Sequence, residues 1–153
     1  MPQTRHHFPR FIVYLLTSML SLPAFAGRLI VQLEHHSSEA TVHAALLSSQ
    51  ANDWTAEPVA IVSSEGAILV FEGIPAGRYA IQLFADHNAN GQLDRSPRGI
   101  PLEAVGFSNN PPLLQGKPSV AQCVFHHSGG DTPLQIRLIS STVQQHQVTQ
   151  QPQ

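Results

Sequence analysis

The sequence predicts an all-β protein, an antiparallel β-sandwich of about seven strands with one long loop inserted late in the chain. Three observations lead there. Apolar and polar residues alternate with period two in short runs. The runs are bounded by Gly, Pro, Ser and Asn, the residues that make turns. No segment carries the sustained apolar stripe of an amphipathic helix.

The strands follow in order. Leu29, Val31 and Leu33 alternate with Ile30, Gln32 and Glu34. Val42, Ala44 and Leu46 repeat the pattern, although Ala40 to Ser48 is also rich in helix-forming Ala and Leu. Val59 to Val62 and Ile68 to Phe71 are short apolar runs closed by Pro58, Ser63-Ser64 and Glu72-Gly73. Tyr79, Ile81, Leu83 and Ala85 alternate again. Val120 to Phe125 reads as a strand, and Leu134, Ile136 and Leu138 form the last one. Between the fourth and fifth strands, Pro75 fixes its own φ and Gly77 permits a tight connection. Tyr79, just after it, is placed to act as a tyrosine corner, its hydroxyl bonding to nearby backbone.

The first 26 residues read as an export signal. Arg5 and Arg10 supply the positive start, Phe11 to Leu22 the apolar core, and Ala24-Phe25-Ala26 the small-residue cleavage site. That core is too short to span a bilayer, which takes about 20 residues. The expected product is periplasmic or secreted, begins at Gly27, and makes no membrane contact after cleavage. Residues 27–139 form the sandwich domain, and residues 140–153, rich in Gln, Ser and Thr, form a disordered tail. The exported part keeps Arg28, Arg78, Arg95, Arg98, Lys117 and Arg137 against ten acidic residues, a net charge of −4. Such a chain has no basic footprint for nucleic acid and no polybasic stretch for a membrane surface. Its partner is expected in the envelope or outside the cell. Cys123 is the single cysteine, so no internal disulfide exists. It reads as a small buried residue packed in its strand.

The segment with most chemistry in it is Asp86-His87-Asn88-Ala89-Asn90-Gly91-Gln92-Leu93-Asp94, a D-x-N-x-N-G-x-x-D pattern. Oxygen-bearing side chains at every second position, with a glycine at the sharp turn, are how a loop wraps Ca²⁺. Asp86, Asn88, Asn90 and Asp94 are the expected side-chain ligands, Gln92 offers its carbonyl, and Glu103 returns to close the shell. An EF-hand proper would close with an acidic residue at the twelfth loop position, where Pro97 stands. The same residues also suit a plain turn, because Asn90-Gly91 is a favoured hairpin pair. The stretch from Asp86 to Val120 shows little strand character, and its Ile100, Leu102, Val105 and Phe107 need cover. Arg95 and Arg98 stand near enough in sequence to neutralise the loop carboxylates.

Three strings together resemble a known family. They are Ile74-Pro75-Ala76-Gly77-Arg78-Tyr79-Ala80, then the Asp86–Asp94 pattern, then Gly99-Ile100-Pro101 followed by Glu103 and Gly106-Phe107-Ser108-Asn109. They resemble the bacterial exported domain-of-unknown-function family 2141, over roughly Leu29 to Leu138. The turn and loop also look like those of transthyretin-like and surface-repeat sandwiches, in some of which a similar loop binds calcium. The resemblance implies an immunoglobulin-like or prealbumin-like sandwich with no established activity. Ala85 stands where the family pattern has a histidine.

The function expected is therefore a non-catalytic envelope binding or assembly module with a structural calcium loop. The alternative is a small periplasmic hydrolase using Ser108 or the loop carboxylates. Gly106-Phe107-Ser108-Asn109-Asn110 only partly matches G-x-S-x-G and lacks its strand-turn-helix setting. The adjacent pairs His35-His36 and His126-His127 point to opposite faces of a strand and cannot easily share one ion.

Overall fold

The computed structural model describes residues 26–37 and 39–140. The export signal falls almost wholly outside these residues, and so does the Gln-rich tail. Among the described residues eight strands form two sheets. They are β1 (Ala26–Glu34), β2 (Thr41–Ser48), β3 (Ala60–Ser64), β4 (Ile68–Pro75), β5 (Gly77–Asp86), β6 (Val105–Phe107), β7 (Phe125–His127) and β8 (Thr132–Arg137). One sheet runs β4-β1-β8 and the other β3-β2-β5-β6, with β7 also pairing to β5. The sandwich is as expected, except that β8 lies parallel to β1; two single segments also differ. The ambiguous Ala- and Leu-rich segment is strand β2.

Period two decides the core. Leu29, Val31 and Leu33 of β1 face Val42, Ala44 and Leu46 of β2 and Tyr79, Ile81, Leu83 and Ala85 of β5, joined by Leu69, Phe71 and Ile136. Phe71, Ile81 and Ile136 are fully buried. The Tyr79 hydroxyl donates to the Pro75 carbonyl at 3.0 Å, which makes the expected tyrosine corner.

Two expectations need correction. Val120–Cys123 is a 3-10 turn, not a strand. Ser119 starts it: the Gln122 side-chain oxygen accepts from both the Ser119 N–H (2.9 Å) and the Ser119 hydroxyl (3.0 Å). This local bonding competes with a ladder and wins. The long loop also contains β6, whose three residues are all buried. Gly106 is needed there for space: a Cβ on it would sit 2.8 Å from Leu83 and 2.9 Å from the Arg137 carbonyl. The loop's apolar residues divide. Val105 and Phe107 are covered, whereas Ile100 and Leu102 stay exposed at 42% and 61%.

The five-stranded sheet is covered on both faces. Its outer face carries a second apolar cluster: Leu47, Trp54, Ala80, Val105, Phe107, Val120 and Cys123. The Trp54 indole N–H donates to the Pro118 carbonyl at 2.7 Å and ties one covering loop to the other.

Candidate functional site

Register on β2 and β5 builds the site. The residues of β5 that skip the inter-sheet core, Ala80, Gln82, Phe84 and Asp86, oppose Leu47, Ala45, His43 and Thr41 of β2. The outer face therefore presents His43 stacked on Phe84, with ring centroids 5.2 Å apart. Asp86 ends the row, where the chain leaves the sheet.

Asp86 is the latch of the loop that follows. It is 2% exposed. Its Oδ2 accepts the Gly91 N–H at 2.7 Å and its Oδ1 the Asn90 N–H at 3.3 Å. Burial pushes its pKa up, but the N–H groups of Gly91, Ala89 and Asn90 and the nearby His43 together outweigh burial, and the net shift is downward. Asn88 Oδ1 accepts the Asn90 N–H at 3.2 Å, and Asn90 Oδ1 accepts the Gln92 N–H at 2.7 Å. These are successive Asx turns. A two-residue type I′ hairpin would need positive φ at both Asn90 and Gly91. Positive φ falls instead on Ala89 (57°) and Gly91 (73°), so Asn90-Gly91 is not that turn.

Hydrogen bonds bring three of the six expected ligands together. Asn88, Asn90 and Asp94 meet: the Asp94 carboxylate accepts the Asn88 amide at 2.6 Å and the Asn90 amide at 3.2 Å. Glu103 lies beneath them, 7% exposed. Its two oxygens accept the His87 N–H at 3.2 Å and the Asp94 N–H at 3.1 Å and clamp both ends of the loop. Among the described residues no three His, Cys, Asp or Glu side chains are grouped to hold a metal ion. Each of the three carboxylates accepts N–H donors: Asp86 those of Gly91 and Asn90, Glu103 those of His87 and Asp94, and Asp94 the side-chain amides of Asn88 and Asn90. Arg95 does not neutralise them. Its guanidinium donates to the Gly99 carbonyl at 3.0 Å.

The candidate nucleophile Ser108 and the single cysteine both lie inside the fold. Ser108 is fully buried. Its hydroxyl donates to the Cys123 carbonyl at 2.6 Å and accepts the Ile81 N–H at 2.9 Å, and no histidine is among its partners. The asparagines after it, both with positive φ, are anchors. Asn109 donates to the Val124 carbonyl at 2.8 Å, while Asn110 bonds the Gln135 carbonyl and the Arg137 N–H of β8. Cys123 is buried and free, and burial pushes its thiol up to about 11. His127 is buried with its Nε2 2.9 Å from the Ile74 carbonyl and its Nδ1 2.8 Å from the Thr132 hydroxyl; adjacent His126 is exposed. The Ile74 carbonyl can only accept, so the proton sits on Nε2.

Sequence reasoning missed two features. One is a row of polar groups, with Ser63 Oγ 2.8 Å from His43 Nδ1 and Asp86 Oδ2 3.5 Å from His43 Nε2. Cross-strand pairing of His43 with Ser63 makes it, and only the register reveals it. The other is an open cavity of about 620 Å³ beside this row, between the sheet's outer face and the loop that bears Leu93, Arg95, Arg98 and Ile100.

A family model described as "Uncharacterized protein conserved in bacteria (DUF2141)" matches residues 27–135. No curated protein and no solved structure matches the chain.

Proposed function

We propose that this chain, which belongs to the bacterial family DUF2141, is an exported, non-catalytic binding or assembly module of the cell envelope whose Asp86–Asp94 loop takes a structural calcium ion. The observation that supports the calcium reading is that Asn88, Asn90 and Asp94 are gathered at one point of the loop; to take an ion, the two amides would turn their oxygens to it in place of the N–H groups that Asp94 now accepts. Each amide oxygen keeps a lone pair beyond its Asx turn, and a carboxylate with two amides is a hard, oxygen-rich set of the kind Ca²⁺ prefers. Arg95, turned to Gly99, does not compete for it. The export reading is supported by the charged start, apolar core and Ala24-Phe25-Ala26 site of the sequence. Among the described residues no helix is long and apolar enough to cross a membrane.

The non-catalytic reading is supported by the backbone bonds that engage Ser108. A hydrolase reading now has to rest on Ser63, His43 and Asp86. There the orienting carboxylate stands 3.5 Å from the imidazole, longer than a charge-assisted hydrogen bond, and it already holds the Gly91 and Asn90 N–H groups.

With few acidic ligands the site is of the extracellular type, with Kd on the order of 10⁻⁴–10⁻³ M. Free calcium at ten times Kd then stabilises the fold by about 1.4 kcal/mol. Melting curves in millimolar calcium should lie several degrees above those in chelator, with magnesium doing less. Asp94→Ala should erase that difference, and His87→Ala should keep it. Asp86→Ala should lower both curves, because Asp86 holds the backbone whether or not an ion is present. Coincident curves for the unsubstituted protein would overturn the calcium reading.

A further inference from the structure

We propose that the cavity beside the loop binds a small amphiphilic anion, an apolar body carrying one carboxylate or phosphate head. Its volume, about 620 Å³, falls in the range of small-molecule sites. Its floor is the outer sheet face, where Phe84 and Ile61 lie, and its walls include Leu93, Ile100 and Leu113. Ile61 and Ile100 are left 65% and 42% exposed. An apolar body in the cavity would cover surface of this kind, at roughly 25 cal/mol per Å² removed from water.

The head follows from charge. Arg95, Arg98 and Lys117 all line the cavity, and no acidic residue does. These are three of the six cations in an exported chain of net charge −4. Arg28 and Arg137 are paired with Asp131 and Glu34. Among the described residues the three cavity cations form no such pair. Burial lowers the Lys117 pKa and the charge of Arg95 lowers it further, by more than the nearby Asp53 carboxylate raises it, so the two cations repel across the site. An anion between them relieves that repulsion.

The backbone that carries the two arginines, and the Lys117 ammonium, are also held in place. Arg95 and Arg98 ride on a tight hairpin closed by Ser96 N–H to Ile100 carbonyl (2.8 Å), Gly99 N–H to Ser96 carbonyl (2.8 Å) and Leu102 N–H to Asp94 carbonyl (2.9 Å). Lys117 donates to the Gln82 side chain at 2.9 Å and lies 5.4 Å over the Trp54 ring. A site ordered before the ligand arrives loses less entropy on binding.

This inference deepens the binding-module reading and does not depend on the calcium ion. Calorimetric titration of the purified protein should use decanoate and decyl phosphate below their micellar concentrations, with decanol as the uncharged body and acetate and inorganic phosphate as bare heads. Trp54, the single tryptophan, gives a fluorescence readout beside the site. The expected result is saturable binding of decanoate or decyl phosphate at least about tenfold tighter than decanol, a difference of about 1.4 kcal/mol. Acetate and phosphate should be silent. The variant Arg95→Gln with Arg98→Gln, two exposed positions, should melt with the unsubstituted protein, lose at least about tenfold in anion affinity, and bind decanol unchanged. Absence of saturable anion binding, equal affinity for decanol, or unchanged anion affinity in the double variant would overturn the site. Decanoate binding that persists in chelator, in a protein whose melting ignores calcium, would sink the calcium loop and leave this site standing.

Discussion

The two faces of β5 are built by different physics. Toward the other sheet, Tyr79, Ile81, Leu83 and Ala85 enter a continuous apolar core with no polar exception on their side of the strand. Away from it, Ala80, Gln82, Phe84 and Asp86 meet loops, and each makes a different contact. Ala80 packs in the small Trp54 cluster, Gln82 bonds Trp54 and Lys117, Phe84 stacks on His43, and Asp86 latches Gly91. One face is held by area removed from water. The other combines apolar cover with hydrogen bonds, some donated to Asp86 by backbone N–H groups and some donated by the side chains of Gln82, Lys117 and Trp54. The cavity belongs to the second face, which has polar and apolar groups left to offer.

Substitution should separate the faces by size of effect. Phe71→Ala, in the fully buried core, should cost about 3–5 kcal/mol and lower the denaturant midpoint of the whole chain. Glu103→Ala should cost less, about 1–3 kcal/mol, the penalty for leaving the His87 and Asp94 N–H groups without an acceptor. Its signature is local. Hydrogen exchange at the loop amides should quicken while the core amides keep their protection. Uniform loss of protection would mean that loop and core unfold as one unit.

The same division explains what the sequence revealed. Alternation exposed β1, β2, β5 and β8 because one face of each is committed to the core, and period two follows; β3 and β4 showed as short apolar runs closed by turn residues. It missed β6, whose three residues are buried on both faces by its neighbours and leave no alternation to read. It misread Val120–Cys123, where an apolar run covers the sheet from outside as a 3-10 turn. The parallel β1–β8 pairing is a property of topology, not of either strand. In the site, Asp86, Asn88, Asn90, Asp94 and Glu103 were legible as one loop with a returning acid because their spacing is local or carried by a motif. That Glu103 bonds N–H groups depends on the path of the chain. His43 with Ser63, and Lys117 with Arg95, come from segments far apart and are joined only by register and loop packing.

Cys123 tests the outer face by pH. Burial holds its pKa at about 11 in the folded state, above the ordinary thiol value of 9.0. Between those values the folded state keeps a proton that the unfolded state releases, so this contribution to stability is whole below pH 9 and is lost as pH rises toward 11. The slope from one thiol is at most about 1.4 kcal/mol per pH unit. Lys117, with a lowered pKa, acts in the opposite sense. The difference between the unsubstituted protein and Cys123→Ala isolates the thiol. In the native protein at pH 8, Cys123 should resist alkylation and react only on unfolding. Rapid native alkylation would mean that the 3-10 turn opens far more readily than the core.

The smallest effect concerns the loop backbone alone. Ala89 has φ 57° and Gly91 has φ 73°, the left-handed region, which costs a residue with a Cβ about 1–2 kcal/mol. Ala89→Gly removes that strain from the folded state, but the more flexible glycine loses about 0.5–1 kcal/mol more on ordering. The net gain should be about 0.5–1 kcal/mol. Gly91→Ala runs the other way by a similar amount. A Cβ there meets nothing within 4 Å, so the cost is conformational and owes nothing to packing. Neither change touches a buried apolar group, and neither should move the midpoint through the core. If Ala89→Gly instead destabilises, the left-handed residue is not strained by its Cβ, and the loop is held against its backbone preference less tightly than the Asp86 and Glu103 bonds imply.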